Sequence, residues 1–357
     1  MSQAGWSRGA AAAVLAFFVA ALPASAAEPL PGLGAEPGGI TVSGLSSGAY
    51  MAGQMQIAHS SRVSGAAIIA GGPYGCAESL DTGLGQVLPG SEVFNFGTAL
   101  NGCMRHRLWM LGVPDASRLA DRARERAELG EIDQVAGLAD DRVYLFVGEN
   151  DGTVARAIVE AAEAFYVNVG VPARAITLVE NVGAGHAFVT ESTGLSCGTT
   201  GEPYLTDCDY DQAGALLETL LGPLAPPSTN PAGRLVDFDQ LAYVGDAVVH
   251  GFAPTGAVYV PDTCAATPGC RIHIVFHGCG QSRERIGDAF VDGAGYQRWA
   301  DTNRLVVLFP QVSASPFNPE GCWDWWGYTG RAYLTREGTQ IAAVWRMVDR
   351  LAGPADR

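Results

Sequence analysis

Gly44-Leu45-Ser46-Ser47-Gly48 spells G-x-S-x-G, with a β-like run before it (Ile40 to Ser43) and a helical pattern after it (Ser46 to Ser60). A nucleophilic serine needs this strand–turn–helix setting. The glycines allow a turn too tight for other residues, and the helix N-terminus favours the negative charge that develops there. Ser47 has its flanking glycines at the wrong offsets. A serine hydroxyl is a weak nucleophile and needs a base. Of six histidines, His186 is the candidate, in the glycine-rich segment Asn181-Val-Gly-Ala-Gly-His-Ala-Phe after a strand. His59 ends a helix and reads as a surface residue, His273 lies within a strand and reads as structural, and His106 and His250 have no supporting context. An acid that orients the histidine should follow a strand between the two. Val147-Gly-Glu-Asn-Asp-Gly-Thr-Val offers Asp151, with Glu149 as the alternative. Asp151 could instead only cap the helix that follows. The order Ser…Asp…His is that of α/β-hydrolases.

Acyl transfer also needs donors for the oxyanion. The backbone N–H after the nucleophile, at Ser47, is one. The second comes from a glycine loop after an early strand. The matching segment, His277-Gly278-Cys279-Gly280, follows the strand Ile272 to Phe276 and nominates the Cys279 N–H. It stands downstream of the histidine instead of upstream of the serine. A circular permutation restores the order if Gly222 to Gly233, a Pro/Gly-rich stretch, joins the old C-terminus to the old N-terminus.

Strands expected at 66–70, 142–147, 175–179, 257–260, 272–276 and 305–309 alternate with helices at 116–129, 154–169, 211–221, 295–303 and 337–351. This pattern predicts a circularly permuted α/β-hydrolase fold: a mostly parallel central sheet, helices on both faces, one domain over 27–357. Residues 73–112 read as loop-rich.

Composition narrows the classes. Arg8, an apolar run from Gly9 to Leu22 and Ala24-Ser25-Ala26 read as an export signal over 1–26, too short to span a bilayer comfortably. The protein is expected to be secreted, to the medium or the periplasm, and to be a monomer without a membrane span. The eight cysteines (Cys76, Cys103, Cys197, Cys208, Cys264, Cys270, Cys279, Cys322) form no CxxC or metal-type spacing. In an oxidising compartment they should pair, most simply in sequential order. A net charge of −15 and the absence of lysine argue against nucleic acid as a partner and exclude Schiff-base and P-loop chemistry. No metal or organic cofactor is needed for this chemistry.

Gly321-Cys-Trp-Asp-Trp-Trp-Gly-Tyr supplies Trp323, Trp325, Trp326 and Tyr328, and between glycines at least one ring is expected to face a cleft and suit an apolar acyl chain. Together, GLSSGAYMA, GENDGTV, NVGAGHAF, FHGCGQS and GCWDWWGY resemble the extracellular poly(3-hydroxybutyrate) depolymerases with a single permuted catalytic domain. The resemblance implies a Ser46–Asp151–His186 triad, oxyanion donors at Ser47 and Cys279, and a tryptophan of the last segment against the polymer. It implies hydrolysis of the polyester to 3-hydroxybutyrate monomers or oligomers. Many such extracellular proteins carry a separate polymer-binding domain; none is read after the closing helix here, so weak attack on crystalline polymer is expected. The competing expectations are another secreted carboxylesterase, such as a feruloyl or acetyl-xylan esterase, and a non-catalytic polymer-binding protein with a vestigial triad.

Overall fold

A computed structural model describes residues 27–80, 91–105 and 113–356. The expected export signal and His106 lie outside them. The strands β1 (Ile40–Leu45), β2 (Val63–Ile69), β3 (Arg142–Phe146), β10 (Arg271–Phe276) and β11 (Leu305–Phe309) are buried along nearly their whole length. Strands that are buried on both sides need cover on both sides. Side-chain alternation shows which helix covers which side. Thr41 and Ser43 of β1 turn to one face, where they bond His273 and where Ser43 Oγ meets the Tyr296 hydroxyl of α9 (Tyr296–Asn303) at 2.8 Å. Gly44 turns to the other face and meets the backbone of α1 (Ser47–Ala58). Helix α5 (Gln212–Leu221) packs with α9, while α4 (Arg156–Val169) and α10 (Thr339–Ala352) share the α1 side.

With β4 (Ile176–Val179), β8 (Arg234–Asp239) and β9 (Thr255–Val260), the sheet runs β4-β3-β2-β1-β10-β11-β9-β8. Every neighbouring pair is parallel from β4 to β11, and β9 and β8 add an antiparallel edge. The junction between the two halves of the chain is the middle of this sheet. β1 pairs β10 with Gly44 opposite Phe276, so the segments that follow both strands emerge side by side at the carboxyl edge, where α/β sheets place their sites. Residues 222–233 carry no helix or strand and are pinned to α9 through Asn303 and Asp301.

Two local expectations are corrected. Helix α2 (Ser91–Gly102) occupies part of the segment expected to be loop. The side chains it buries include Asn95, Thr98 and Ala99, while Val93, Phe94, Phe96 and Leu100 face outward, so it lacks the inward apolar stripe that marks a helix in sequence. His59 is buried, not on the surface: its ring stacks on Trp345 at 3.8 Å, and burial pushes its pKa down to about 4. A second small sheet, of β5 (Phe188–Thr190), β6 (Leu195–Ser196) and β7 (Leu205–Asp207), follows His186 and was not foreseen. Among the described residues no helix is long and apolar enough to cross a membrane.

Candidate active site

Ser46 stands alone between β1 and α1 with φ 57° and ψ −118°. A non-glycine residue in that region is strained by roughly 1–3 kcal/mol and is kept there only by its surroundings. Ser46 N–H donates to Ile69 O at 2.9 Å, and Ser46 O accepts from the N–H groups of Ala49 and Tyr50. Both motif glycines are sterically required. A Cβ on Gly44 would lie 2.1 Å from Gly48 O, and one on Gly48 would lie 2.3 Å from Phe276 O and 2.5 Å from His277 O. The elbow is therefore wedged against the loop after β10.

His186 Nδ1 donates to Asp151 Oδ2 at 2.8 Å, and both side chains are almost fully buried. That bond leaves Nε2 as the ring nitrogen able to act as a base. Asp151 Oδ1 accepts from the N–H groups of Thr153 and Val154, so its carboxylate is fixed from both oxygens. It does not cap α4, whose N-cap position is Ala155. Glu149 is exposed. The histidine loop is anchored by the segment after β6: Gly185 N–H donates to Cys197 O, and His186 N–H to Thr200 Oγ1. The disulfide Cys197–Cys208 closes that segment.

The loop after β10 lies against the elbow, with a Cβ on Gly278 reaching Leu45 O at 3.4 Å. Gly278 N–H donates to Gln281 Oε1 and Gly280 N–H to Glu320 O; the Cys279 N–H between them is in neither bond. Ser47 is the first residue of α1, where an N–H has no intrahelical acceptor. The disulfide Cys279–Cys322 joins this loop to the tryptophan segment, and Trp323 N–H donates to Ser47 Oγ at 3.3 Å. Cys76–Cys103 and Cys264–Cys270 complete a sequential pairing of all eight cysteines.

The aromatic segment departs from expectation at Trp323. That ring is wholly buried, edge-on to Phe276 at 4.9 Å, so it packs the core instead of facing a cleft. Trp325 stacks on Tyr50 of α1 at 4.1 Å. Trp326 stands edge-on to Trp325 and contacts Phe96 and Tyr328. The indole Nε1 atoms of Trp323 and Trp325 are buried without a hydrogen-bond partner. Asp324 organises the turn. Its fully buried carboxylate accepts from the N–H groups of Trp326, Gly327, Tyr328 and Thr329 and from the Thr329 hydroxyl. Burial is the main influence on its pKa and raises it.

No protein-family model matches the chain. It is 39% identical over 332 residues to the poly(3-hydroxybutyrate) depolymerase of Delftia acidovorans, covering 92% of this chain and 62% of that one. It therefore spans less than two thirds of the Delftia protein's length. It is 32% identical to the polyhydroxybutyrate depolymerase of Talaromyces funiculosus, covering 89% of this chain and 91% of that protein. The chain belongs to the polyhydroxybutyrate depolymerase family. Two solved structures of depolymerases match it at 31% identity over 91% of its length. One is a serine-to-alanine variant complexed with an R3HB trimer (TM-score 0.80, 98% of that chain), and the other is the Penicillium funiculosum enzyme (TM-score 0.79, 98% of that chain).

Within this depolymerase family member, His273 and His250 make hydrogen bonds inside the fold. His273 bridges Thr41 and Ser43, and complete burial pushes its pKa down to about 3. His250 accepts from Phe252 N–H. Sequence reasoning passed over Asp324, Gln54 and Gln340, which hold the aromatic turn to α1 and α10. A lone carboxylate inside a tryptophan run was the available signal. Among the described residues no cluster of three or more His, Cys, Asp or Glu could hold a metal ion.

Proposed function

We propose that the chain is an exported serine esterase that hydrolyses poly(3-hydroxybutyrate) or related short-chain polyhydroxyalkanoate esters, with Ser46, His186 and Asp151 as its triad. The observation that carries the proposal is the buried Asp151–His186 hydrogen bond of 2.8 Å, in a chain whose strained Ser46 occupies a G-x-S-x-G elbow. His186 Nε2 takes the Ser46 proton as Ser46 Oγ attacks the ester carbonyl. The Ser47 and Cys279 N–H groups stabilise the oxyanion, and the tetrahedral intermediate collapses as His186 returns the proton to the leaving hydroxyl end. Water then attacks the acyl-enzyme by the same proton path, releasing the acid and freeing Ser46. Asp151 holds the imidazole in the tautomer this requires and stabilises the imidazolium.

The same proposal takes residues 1–26 as an export signal, 27–357 as one permuted domain with 222–233 as the join, and the protein as a monomer without nucleic-acid partners. Four disulfides fit an oxidising compartment. Trp325, Trp326 and Tyr328, with Phe96 of α2 beside Trp326, supply the wall for methyl-bearing polyester units. Product analysis on amorphous poly(3-hydroxybutyrate) tests the proposal. Wild type should release 3-hydroxybutyrate and its oligomers, and Ser46→Ala should release none. Release of ferulate or acetate from xylan in place of these products would transfer the protein to another esterase class. Equal activity in Ser46→Ala would overturn the mechanism.

A further inference from the structure

The loop that supplies the second oxyanion donor has its own clamp. A peptide unit is planar and trans, so its C=O and N–H point in opposite directions. The peptide that carries the Cys279 N–H is the one whose carbonyl belongs to Gly278. His277 Nδ1 donates to that Gly278 O at 2.7 Å. His277 Nε2 accepts from Val312 N–H at 3.2 Å, and this fixes the proton on Nδ1. The ring is fully buried and lies against Trp323. Burial pushes its pKa down to about 4, so the neutral donor–acceptor tautomer persists over the working range. Gln281, 1% exposed, grips the same loop one peptide earlier. Its Oε1 accepts from Gly278 N–H, and its Nε2 donates to Pro203 O and Tyr204 O at 3.2 Å each. Tyr204 O also accepts from Phe188 N–H, two residues after His186.

We infer that His277 is a positioning residue for catalysis: by holding Gly278 O it aims the Cys279 N–H at the oxyanion, and Gln281 ties that aim, through Tyr204, to the strand that follows the catalytic histidine. Neither side chain contacts the reacting atoms in this scheme. The inference rests on the oxyanion assignment made under the proposed function and adds the residues that set its direction.

Paired substitutions at His277 separate orientation from packing, because each keeps one of the two ring bonds. His277→Asn places an amide nitrogen where Nδ1 was and retains a donor for Gly278 O. His277→Gln places its amide near the Nε2 position, retains a group for Val312 and loses the Gly278 bond. Steady-state hydrolysis of a soluble 3-hydroxybutyrate trimer is measured alongside inhibition by butaneboronic acid, which forms a tetrahedral adduct on the serine. His277→Asn should keep kcat within about threefold of wild type, whereas His277→Gln should lose roughly 10–100-fold in kcat with KM within twofold, a fraction of the 10²–10³-fold that removing an oxyanion donor outright costs. Boronate affinity should fall in parallel with kcat. Gln281→Met should show the same split, which keeps the test alive if a His277 variant fails to fold. Equal kcat in the two His277 variants, or a loss confined to KM, would overturn the inference. Ser46→Ala assayed in parallel separates this from failure of the broader proposal: a dead Ser46→Ala with no split between the His277 variants removes only the positioning role.

Discussion

Gly48→Ala is the most discriminating single change at the elbow. The added Cβ would sit 2.3 Å from Phe276 O and 2.5 Å from His277 O, both backbone atoms that cannot rotate away. Ordinary contact begins at 3.4 Å, so α1 and the loop after β10 must part by 3.4 − 2.3 = 1.1 Å. That gap opens between the nucleophile and the Cys279 N–H. A misplacement of about 1 Å costs on the order of 100-fold in rate, or about 2.7 kcal/mol of transition-state stabilisation. Overpacking adds roughly 1–3 kcal/mol of destabilisation. Gly53→Ala, on the same helix, is the control. Its Cβ would meet Ile68 at 3.6 Å and the Tyr166 hydroxyl at 3.7 Å, ordinary contacts. Alanine is also the better helix former by about 1 kcal/mol. Hydrolysis of a soluble short-chain ester and thermal unfolding would be followed for both. Gly48→Ala should lose about 100-fold in kcat and melt earlier, and Gly53→Ala should match wild type in kcat and melt no earlier. A folded Gly48→Ala with kcat within threefold of wild type would refute the argument that this glycine sets the spacing of the site.

Asp151→Asn should lower kcat by roughly 10³–10⁴-fold because the imidazole loses its orienting charge, while Glu149→Gln, at an exposed position, should leave it within twofold; comparable losses in the two would reassign the acid. Cys279–Cys322 closes 43 residues and Cys264–Cys270 closes 6, so replacing each pair with serine should cost about 4 and about 2 kcal/mol respectively by loop entropy. Only the first should also depress kcat, since only it tethers the oxyanion loop; chemical denaturation with parallel kinetics checks both. Asp141 is buried beside Gln56, and loss of solvent pushes its carboxyl up to about 7, with Asp140 adding to the rise and the Gln56 bond opposing it. The folded state then holds a proton that the unfolded chain releases near pH 4, so this contribution to stability is complete below that pH and is lost as pH rises toward about 7. Asp141→Asn should flatten the fall in melting temperature across that window, and an unchanged slope would show the carboxyl to be ionised in the fold.

Much of the chemistry was legible from residue type and local order. G-x-S-x-G between a strand and a helix named Ser46, and the apolar runs 142–147 and 272–276 named β3 and β10. The misplaced oxyanion loop already implied that residues beyond 270 must sit beside residue 46, and the β1–β10 pairing with Gly44 opposite Phe276 has that arrangement. These signals are local: strand periodicity, turn stereochemistry and helix starts each depend on a few neighbouring residues. Sequential cysteine pairing was the simplest choice for the same reason, since short separations close easily.

What only the tertiary structure decided depends on contacts between distant segments. Helix α2 escaped notice because it buries Asn95, Thr98 and Ala99 and turns Val93 and Phe94 outward, so its sequence lacks the inward stripe that packing normally imposes. His59 looked like a helix-end surface residue until Trp345, far along the chain, covered it. Trp323 could not be told from Trp325 by sequence; its place against Phe276 and Phe252 is fixed by how the loop crosses the sheet edge. The roles of Asp324, His277 and Gln281 likewise rest on which backbone groups the fold brings within 3.3 Å of them. A chain's residue types fix what bonds a side chain can make, but burial and direction, which decide what those bonds do, exist only once the sheet has closed around them.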